Sequence, residues 1–514
     1  MAEITPTSTQ KLSHWRLVCD QAGITAQVRD WAYAGSGTET DPFIVEWLPG
    51  DPRNPKLFSP YKKWGITVLV SLQTFSVSFT SSALSGATEN LKADLHISSE
   101  LAALSLSLFV LGFAVGPMLW APLGELYGRQ KLAFLSLGAL TIFNVGCTVS
   151  PNITSLIILR FLAGACGASS LTNSGGVIAD MFLASERGLA MALFTSAPFM
   201  GPALGPICGG FLGMKRGWRW VEGMTCVLSG VIWAFAGLLV PETYAPLIFR
   251  TRAHRLSKSN GGIYISKLEV EKTERPSAAE AFRAVLVRPW ALLTREPIVL
   301  FLSLYMAIIY GTLYMLFPAF PIVFQQGRGW NEGTGNLSFL GVIIGVLCAT
   351  GYSIFDNRRY IRATEQLDSM ETPEGRLPPS LVGAVSLTVG LFWFAWTNSP
   401  SVHWIVCIVA TVPFGFGMVL VSLSVLNYLI DAYVPFAASV LASATLLRSV
   451  FGAAFPLFTP YMYSGLGIHW ASTVPAFLTL LCLPLPFVFY KYGAAVRARC
   501  KYAAEAQELT RKLL

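Results

Sequence analysis

The chain has 514 residues, of which 53% are hydrophobic and only 13% are charged. Soluble globular proteins usually carry about 25% charged residues, so this composition excludes an ordinary soluble domain. The formal net charge of +8 is modest, and the Lys and Arg residues lie between apolar runs. This distribution is typical of the basic loops of a membrane protein, and it argues against nucleic acid as a partner.

Residues 1–60 precede the first apolar run and contain Ser, Thr and a few aromatic residues without sustained periodicity. We expect them to form a cytoplasmic, mostly disordered tail. The first residues have no apolar core, so we expect no secretory signal peptide.

Twelve apolar segments follow, and each is near or above the roughly 20 residues that a helix needs to cross a bilayer. A polar stretch with ten Lys or Arg residues separates the first six from the last six. We predict an all-α membrane protein with twelve transmembrane helices in two pseudo-symmetric six-helix bundles. The predicted regions are the bundle 61–240, a cytoplasmic basic loop 241–297, the bundle 298–492 and a cytoplasmic tail 493–514.

Basic residues concentrate in the loops that share a side with the two termini, which predicts that both termini are cytoplasmic. Similar strings that end at Asp180 and Asp431 close the fourth and tenth segments, and this indicates an internal duplication. We expect a monomer in the plasma membrane. The sequons at Asn152 and Asn336 fall on the opposite side, the first in a loop too short for efficient glycosylation.

The first segment is unusually polar. Thr74, Ser78, Ser81 and Ser85 share one helical face, which we expect to line a central cavity, although hydrogen bonding between helices explains the pattern equally well. The seventh segment carries an aromatic stripe that suits stacking on a flat, apolar ligand but is also common in protein cores. The candidate substrate-binding residues are Gln73, Thr74, Ser78, Ser81, Asn173, Tyr310, Tyr314 and Phe317.

The loop after the second segment places Glu125 and Arg129 on either side of Gly128. An acid near a helix end can meet a cation on the next turn, and Asp180 and Arg187 are able to join the same charge cluster. Such a cluster would be a cytoplasmic latch that breaks when that side opens. The alternative is a set of ordinary boundary charges whose side chains reach the headgroup region.

Three charged residues lie inside apolar segments: Arg160, Glu222 and Arg448. A charge buried in a membrane is costly and is a functional hypothesis by default, so we take these residues as candidates for ion coupling. Arginine cannot lose its proton at physiological pH and would therefore act through a partner. The alternative is that Arg160 only donates hydrogen bonds to backbone carbonyls.

Residues 201–210 read GPALGPICGG. Gly201, Gly205 and Gly209 fall on one helical face, where a second helix backbone is expected to approach closely. Pro206 removes a backbone donor and weakens the helix locally, and Gly210 adds a further small residue. We predict that these residues gate a conformational change; the alternative is tight packing without a transport role.

This string resembles the G-x-x-x-G-P-x-x-G-G motif of exporters in the major facilitator superfamily. The loop from Ala121 to Lys131 resembles the superfamily's G-x-x-x-D-x-x-G-R-K/R loop, although Ala121, Glu125 and Gln130 depart from it. Arg160 and Gly164 resemble the R-x-x-x-G motif of the fourth helix, which is associated with proton coupling, and Ala163 replaces the usual glutamine.

Further strings, above all PETYAP at 241–246, resemble the fungal twelve-spanner drug:proton antiporter family, including exporters of cercosporin-like toxins. The resemblance implies proton-coupled export of a small, apolar compound by alternating access. The cargo would be a drug or a secondary metabolite such as a polyketide toxin. Glu222 stands where the family is expected to have an apolar residue.

The chain contains no G-x-x-x-x-G-K-[ST] loop and no hydrolase motif, so we predict neither an ATP-driven pump nor an enzyme. Most of the nine cysteines lie in apolar runs without a C-x-x-C pair, so we expect reduced thiols, no metal and no cofactor. The alternatives are a polyamine or nutrient carrier and a non-transporting receptor or sensor. Because the spans carry almost no carboxylates, a neutral or anionic cargo is favoured over a polyamine.

Overall fold

The computed structural model describes residues 12–20, 22–183, 186–267, 278–367 and 373–506. Long helices make up most of both halves. In the first half they are α3 (Pro60–Ala83), α4 (Thr88–Leu95), α5 (Ser99–Tyr127), α6 (Arg129–Thr148), α7 (Ile153–Met181), α8 (Arg187–Arg216) and α9 (Trp218–Leu239). In the second half they are α12 (Pro297–Phe320), α13 (Glu332–Asn336), α14 (Leu340–Leu367), α15 (Pro378–Thr397), α16 (Trp404–Ala432), α17 (Ala437–Cys482) and α18 (Pro484–Arg499).

Shorter elements complete the described chain. The tail and central loop hold α1 (His14–Cys19), α2 (Ala26–Arg29), α10 (Ala245–Asn260), α11 (Ala278–Arg295), β1 (Phe43–Val45) and β2 (Tyr264–Ser266). Short 3₁₀ turns lie at Pro55–Leu57, Leu84–Ala87, Leu337–Phe339, Pro373–Arg376 and Val434–Phe436, and a π turn lies at Pro321–Gln326.

Continuous apolar runs become helices because a bilayer offers no water to the backbone, so each N–H and C=O must be paired within its own segment. Glycines mark two of the helix boundaries. Gly128 separates α5 from α6 with φ +91°, and Gly217 separates α8 from α9 with φ +88°. An L-residue with a side chain rarely adopts this left-handed backbone, so glycine sets both turns.

Among the described residues, eleven helical stretches are long and apolar enough to cross a membrane. The last of these runs from Ser439 to Arg499, far longer than the roughly 20 residues of one crossing. Gly467 breaks it with a non-helical backbone (φ 76°, ψ 168°). The stretch therefore turns back on itself at Gly467, and the prediction of twelve crossings in an all-α fold is confirmed.

The helices form two bundles that meet along a seam. In the first bundle α3 packs on α8 and α5 on α7, while in the second α15 packs on α16 and α12 on α17. Contacts of α5 with α17 and of α8 with α14 join the bundles. We call the end that carries Pro60 and Arg499 the tail end, and the opposite end, which carries Gly467, the far end.

The expectation of a mostly disordered tail needs correction for residues 12–60. Strand β1 pairs in parallel with β2 of the central loop, with Phe43 opposite Tyr264. Val45 and Leu48 of the tail and Leu256 of the loop share a small apolar core. The tail alone has too few apolar residues for a core, and the loop supplies the remainder. We call this unit, residues 12–57 with 245–267, the tail–loop domain.

Candidate functional site

A cavity of about 340 Å³ lies between the two bundles at the far end. Its lining is largely apolar and includes Leu84, Leu106 and Phe317. Charged side chains at its rim come from both halves, with Glu89 on α4 and Glu332 on α13. A concave, largely apolar space with a few polar groups is the usual form of a small-molecule site.

Two of the predicted substrate residues lie one helical turn from the cavity on the tail side. The hydroxyls of Ser81 on α3 and Tyr314 on α12 are 2.7 Å apart and join the two halves. Tyr310 donates from its hydroxyl to that of Tyr314 at 3.4 Å, and the ring centroids are 4.9 Å apart. Phe317 continues this aromatic stripe into the cavity wall.

The other predicted substrate residues lie away from the cavity. Thr74 donates to the carbonyl of Ser170 on α7 at 3.2 Å, and Ser78 packs against Gly201 of α8. Most of α3 is buried between neighbouring helices, and Ser85, two residues beyond its end, is the member of the predicted polar face that lines the cavity. At these two positions the polar face serves packing between helices.

Gln73 and Asn173 are placed in a separate space within the first half. Both line a small cavity of about 10 Å³ together with Arg129. The Asn173 side-chain oxygen accepts a hydrogen bond from Arg129 Nη1 at 2.9 Å. Asn173 therefore lies beside Arg129 at the tail end of the first half, and its role in substrate binding stays a prediction.

Arg160 and Glu222 form a single buried ion pair, with 2.6 Å between Arg160 Nη1 and Glu222 Oε1. Each side chain is only 1% exposed. Arg160 also donates from Nε to the carbonyl of Ser105 at 3.0 Å and from Nη2 to that of Ser81 at 2.9 Å. Both the predicted charge partner and the predicted backbone carbonyls are thus present.

The environment of this pair is closely linked to the cavity. Ser105, whose carbonyl Arg160 holds, lines the cavity wall, and Ser81 bonds to Tyr314. The second carboxylate oxygen of Glu222 is buried without a hydrogen-bond partner. An unpaired buried carboxylate oxygen is costly, so it marks a place where a proton or a water molecule would be stabilised.

Arg448 is the buried cation of the second half. Its guanidinium lies over the Tyr310 ring, 4.9 Å from the centroid. Because Tyr310 bonds to Tyr314 and Tyr314 to Ser81, contacts run from the first-half ion pair to Arg448. We call this series Glu222–Arg160–Ser81–Tyr314–Tyr310–Arg448 the buried polar chain.

The glycine motif lies on α8 and makes the predicted close approach. A Cβ at Gly201 would come within 2.6 Å of Phe79 N, and one at Gly205 within 2.9 Å of Ala83 N, both on α3. Gly209 faces Ala83 in the same way. Gly210 instead faces the second half, where a Cβ would come within 2.6 Å of the Asn336 side chain. Helix α3 and the second half therefore both pack on the motif, and the gating role remains a prediction.

The charge cluster around Arg129 differs from the predicted cytoplasmic latch. Glu125 forms no ion pair with Arg129 among the residues that the structure describes, and the acid at the start of α6 is Glu242. Its carboxylate accepts the backbone N–H groups of Arg129 and Gln130 at 3.0 and 3.1 Å. The sequence missed Glu242 because it lies more than one hundred residues along the chain. A negative charge at a helix N-terminus is favourable.

Two neighbours complete this cluster. The Asp180 carboxylate accepts a hydrogen bond from Thr243 at 3.1 Å. The Tyr244 ring lies beneath the Arg129 guanidinium, 4.9 Å away, and burial raises the pKa of Tyr244 to about 12, so its phenol stays neutral. The PETYAP string thus acts as the counterpart of Arg129.

Arg187 contributes to a different contact, which spans the two halves. It lies 3.5 Å from Asp431 on α16, whose other oxygen is 3.0 Å from Arg376. We call Arg187, Asp431 and Arg376 the tail-end bridge. Nearby, the hydroxyls of Ser196 and Thr350 are 2.7 Å apart across the same seam. The sequence analysis predicted that Arg187 joins Asp180. Its partner is instead Asp431, the equivalent aspartate of the second half.

The two sequons differ in accessibility. Asn152 is exposed, and its side chain accepts the Ser155 N–H at 2.9 Å as the N-cap of α7. Asn336 is 2% exposed and donates to the Gly86 carbonyl at 3.5 Å. In this arrangement no glycan fits at Asn336, because the side chain is enclosed between the halves.

The fold and the inter-half cavity define a membrane transporter of the alternating-access type, and the family is shown directly. The family model described as Major Facilitator Superfamily matches residues 70–456. The chain belongs to this superfamily. Its fold is similar to that of the proton:xylose symporter XylE, with a TM-score of 0.60, 15% identity and coverage of 85% of this chain and 96% of that one.

Several fungal proteins are similar over almost the full chain. "Major facilitator superfamily multidrug transporter mdrA" of Aspergillus fumigatus is 56% identical over 99% of this chain and 84% of that protein. "MFS-type efflux pump MFS2" of Trichophyton rubrum is 55% identical over 98% of this chain and 84% of that protein. "Efflux pump FUB11" of Gibberella moniliformis is 51% identical over 94% of this chain and 82% of that protein.

Proposed function

We propose that this transporter exports a small, largely apolar drug or secondary metabolite across the plasma membrane, driven by protons that flow inward. The names of the relatives, a multidrug transporter and two efflux pumps, support export as the direction. The apolar lining of the cavity supports an apolar cargo. Its volume of about 340 Å³ suits one molecule of drug size.

The proposed orientation has the tail end in the cytoplasm, in keeping with the concentration of basic residues there. The cavity then faces the outside, while the tail-end bridge holds the cytoplasmic side closed. Cargo would enter after the bridge breaks and leave through the far end. Alternating access of this kind requires the tail-end bridge to break when the cytoplasmic side opens.

One observation carries the proposal of proton coupling: the buried carboxylate of Glu222 uses one oxygen for Arg160 and leaves the other unpaired. Arg160 cannot release a proton, so Glu222 is the carrier of the pair. Protonation of Glu222 weakens its hold on Arg160. Arg160 holds the carbonyls of Ser105 and Ser81, so this change reaches the cavity wall and Tyr314.

Proton-driven export is tested first, with the wild-type protein in vesicles that carry a proton gradient. We expect dye efflux against its concentration gradient, and we expect an uncoupler to abolish it. Persistent efflux after uncoupling would contradict proton coupling. A wild-type protein that binds dye but shows no flux would instead favour the receptor or sensor alternative.

The residue assignment is tested by the initial efflux rate as a function of external pH. Glu222→Gln removes the proton carrier, so the pH dependence should flatten. Arg160→Lys keeps the charge but loses the planar fork that holds three carbonyls and a carboxylate, so its coupling should weaken. The control is Glu100→Gln, an exposed far-end carboxylate that accepts the Tyr461 hydroxyl at 3.1 Å and forms no contact with the Arg160–Glu222 pair among the described residues.

Surface labelling confirms that each variant reaches the membrane before its rates are compared. This check matters because removing one partner of a buried ion pair typically costs about 3–5 kcal/mol. If all variants show the wild-type pH profile, Arg160 and Glu222 have no part in coupling. A flattened profile in the Glu100 variant would contradict the assignment as well.

A further inference from the structure

The rim of the cavity carries a carboxylate that has no ion-pair partner in the part of the chain that the structure describes. Three charged side chains line the cavity: Glu89, Lys92 and Glu332. Glu89 and Lys92 lie on α4 and pair with each other at 3.0 Å. Among the described residues, no cation lies within ion-pair distance of Glu332. The rim therefore presents one uncompensated carboxylate, from the second half, to whatever occupies the cavity.

The neighbours of Glu332 belong to the opposite half. Its Oε1 accepts the backbone N–H of Glu89 at 3.1 Å, in the first turn of α4. Helix α4 has no side-chain cap of its own, so Glu332 serves as the acceptor for this end. The backbone N–H groups of Glu89 and Asn90 thus hold the carboxylate, and both are neutral donors. A ligand with a stronger donor is able to compete for it.

Two further contacts join the same elements. The N–H of Gly333 points to the sulfur of Met214 at 3.0 Å, and Asn336 donates to the Gly86 carbonyl at 3.5 Å. Gly210, the last glycine of the motif, provides the room for this approach. We call these contacts of α13 with the first half the far-end clasp. A change at Glu332 therefore acts on contacts that join the two halves beside the cavity.

Much of the remaining cavity lining is apolar. Leu84 lies just after α3, Leu106 comes from α5 and Phe317 from α12. Glu332 is at the start of α13, so the charge and the aromatic ring lie on different elements of one space. A molecule with a flat, apolar body and a cationic or N–H-donating group would satisfy both features.

We propose, on the basis of the proposed function, that Glu332 determines specificity by binding the cationic or N–H-donating group of weakly basic cargo. The apolar body lies against Phe317 while the charged group replaces the Glu89 N–H at the carboxylate. Cargo binding thereby loosens the far-end clasp on the side through which cargo leaves. The preferred cargo is a flat organic cation or weak base, which departs from the neutral or anionic cargo expected from the spans alone.

A purely structural role for Glu332, as the cap of α4, is the competing explanation. Glu332→Gln separates the cap explanation from the cargo-binding explanation. Its amide oxygen still accepts the Glu89 N–H, while the negative charge is lost. A cap function survives this change, whereas attraction of a cation does not. Glu332→Asp keeps the charge and shortens the side chain.

The test compares two flat dyes in the same vesicles, cationic rhodamine 6G and neutral Nile red, by initial rates of proton-driven efflux. For Glu332→Gln we expect rhodamine 6G efflux to fall about tenfold, because charge-assisted hydrogen bonds are about twice as strong as neutral ones. Nile red efflux should stay within about twofold of wild type. The matched control is Asp94→Asn, which removes a carboxylate from α4 that pairs with Arg219 outside the cavity.

Each outcome bears on the proposal. If Glu332→Gln lowers the efflux rates of both dyes equally, or changes neither rate, the proposal is overturned. The same change of selectivity in Asp94→Asn also overturns it. Glu332→Asp should keep the wild-type preference for the cation even where both rates fall, and loss of that preference also overturns it. Failure of the proposed function is distinct, since wild-type protein would then show no uncoupler-sensitive efflux of either dye.

Discussion

At the scale of single residues, the glycines of α8 make the most specific mechanical prediction. Gly205→Leu should abolish efflux while the protein still reaches the membrane. A side chain there meets the backbone of α3, where Ala83 N lies 2.9 Å from the position of a Cβ and Phe79 O lies 3.0 Å from it. Backbone cannot move aside as a flexible side chain can, and overpacking typically costs about 1–3 kcal/mol.

The measurement pairs efflux rate with surface labelling, so that loss of transport is separated from loss of insertion. The control is Gly351→Leu on α14, where no atom lies within 4 Å of an added Cβ. Efflux by the Gly351 variant should resemble wild type. Normal efflux by the Gly205 variant would show that transport does not require the close approach of α8 to α3.

The sequence identified several site residues by type but not by partner. Arg160 and Glu222 were recognisable because charges are rare in apolar runs, yet nothing in the chain indicated that residues 62 positions apart share a bond. Asn173 and Gln73 were recognisable as polar residues in a span, but only packing decides whether such a face meets a cavity or a neighbour. Glu332 and Glu242 were missed because loop carboxylates are ordinary in sequence.

At the scale of helices, the tail-end bridge is the contact that links the halves through charge. Asp431→Asn should open the tail end more often, because Arg187 on α8 and Arg376 on the second half both lose their partner. An isolated exposed pair contributes only about 0–1 kcal/mol. Asp431 is partly buried and shared by two cations, and even about 1 kcal/mol shifts a two-state population roughly fivefold.

The measurement is maleimide labelling of Ser196→Cys, whose native hydroxyl meets Thr350 across the seam. The exposed native Cys19 and Cys348 are replaced beforehand. Labelling should accelerate when Asp431→Asn is added. Glu374→Gln is the matched control, since Glu374 is similarly buried and pairs with Arg497 within the second half. Equal labelling in both backgrounds would remove the bridge from the closing mechanism.

Helices were the most predictable elements because one physical requirement, a hydrogen-bonded backbone in an apolar medium, determines each of them. The break at Gly467 also follows the two apolar runs on either side of it. Strands β1 and β2 carried no such signal, since each has three residues and they pair across about 220 positions. A local sequence pattern cannot predict a short element that forms only with a distant partner.

At the scale of the whole molecule, the tail–loop domain joins the tail to the loop that connects the two bundles. Glu242 at the start of that loop also caps α6, so the domain adjoins the charge cluster around Arg129. The alternating-access cycle moves the bundles relative to each other, and the loop must follow this motion. The domain is therefore placed to restrain the loop close to the first bundle.

The domain itself depends on a buried ion pair between Asp51 and Arg252, whose side chains are 3% and 0% exposed. Asp51→Asn leaves Arg252 charged and unpaired in an apolar environment, which typically costs about 3–5 kcal/mol. We expect trypsin to cleave the tail much faster in this variant while the membrane helices stay protected. Glu46→Gln is the control, because its pair with Lys267 is about half exposed on both sides and contributes little. Equal cleavage of the Asp51 variant and wild type would contradict the view that this ion pair holds the tail to the loop.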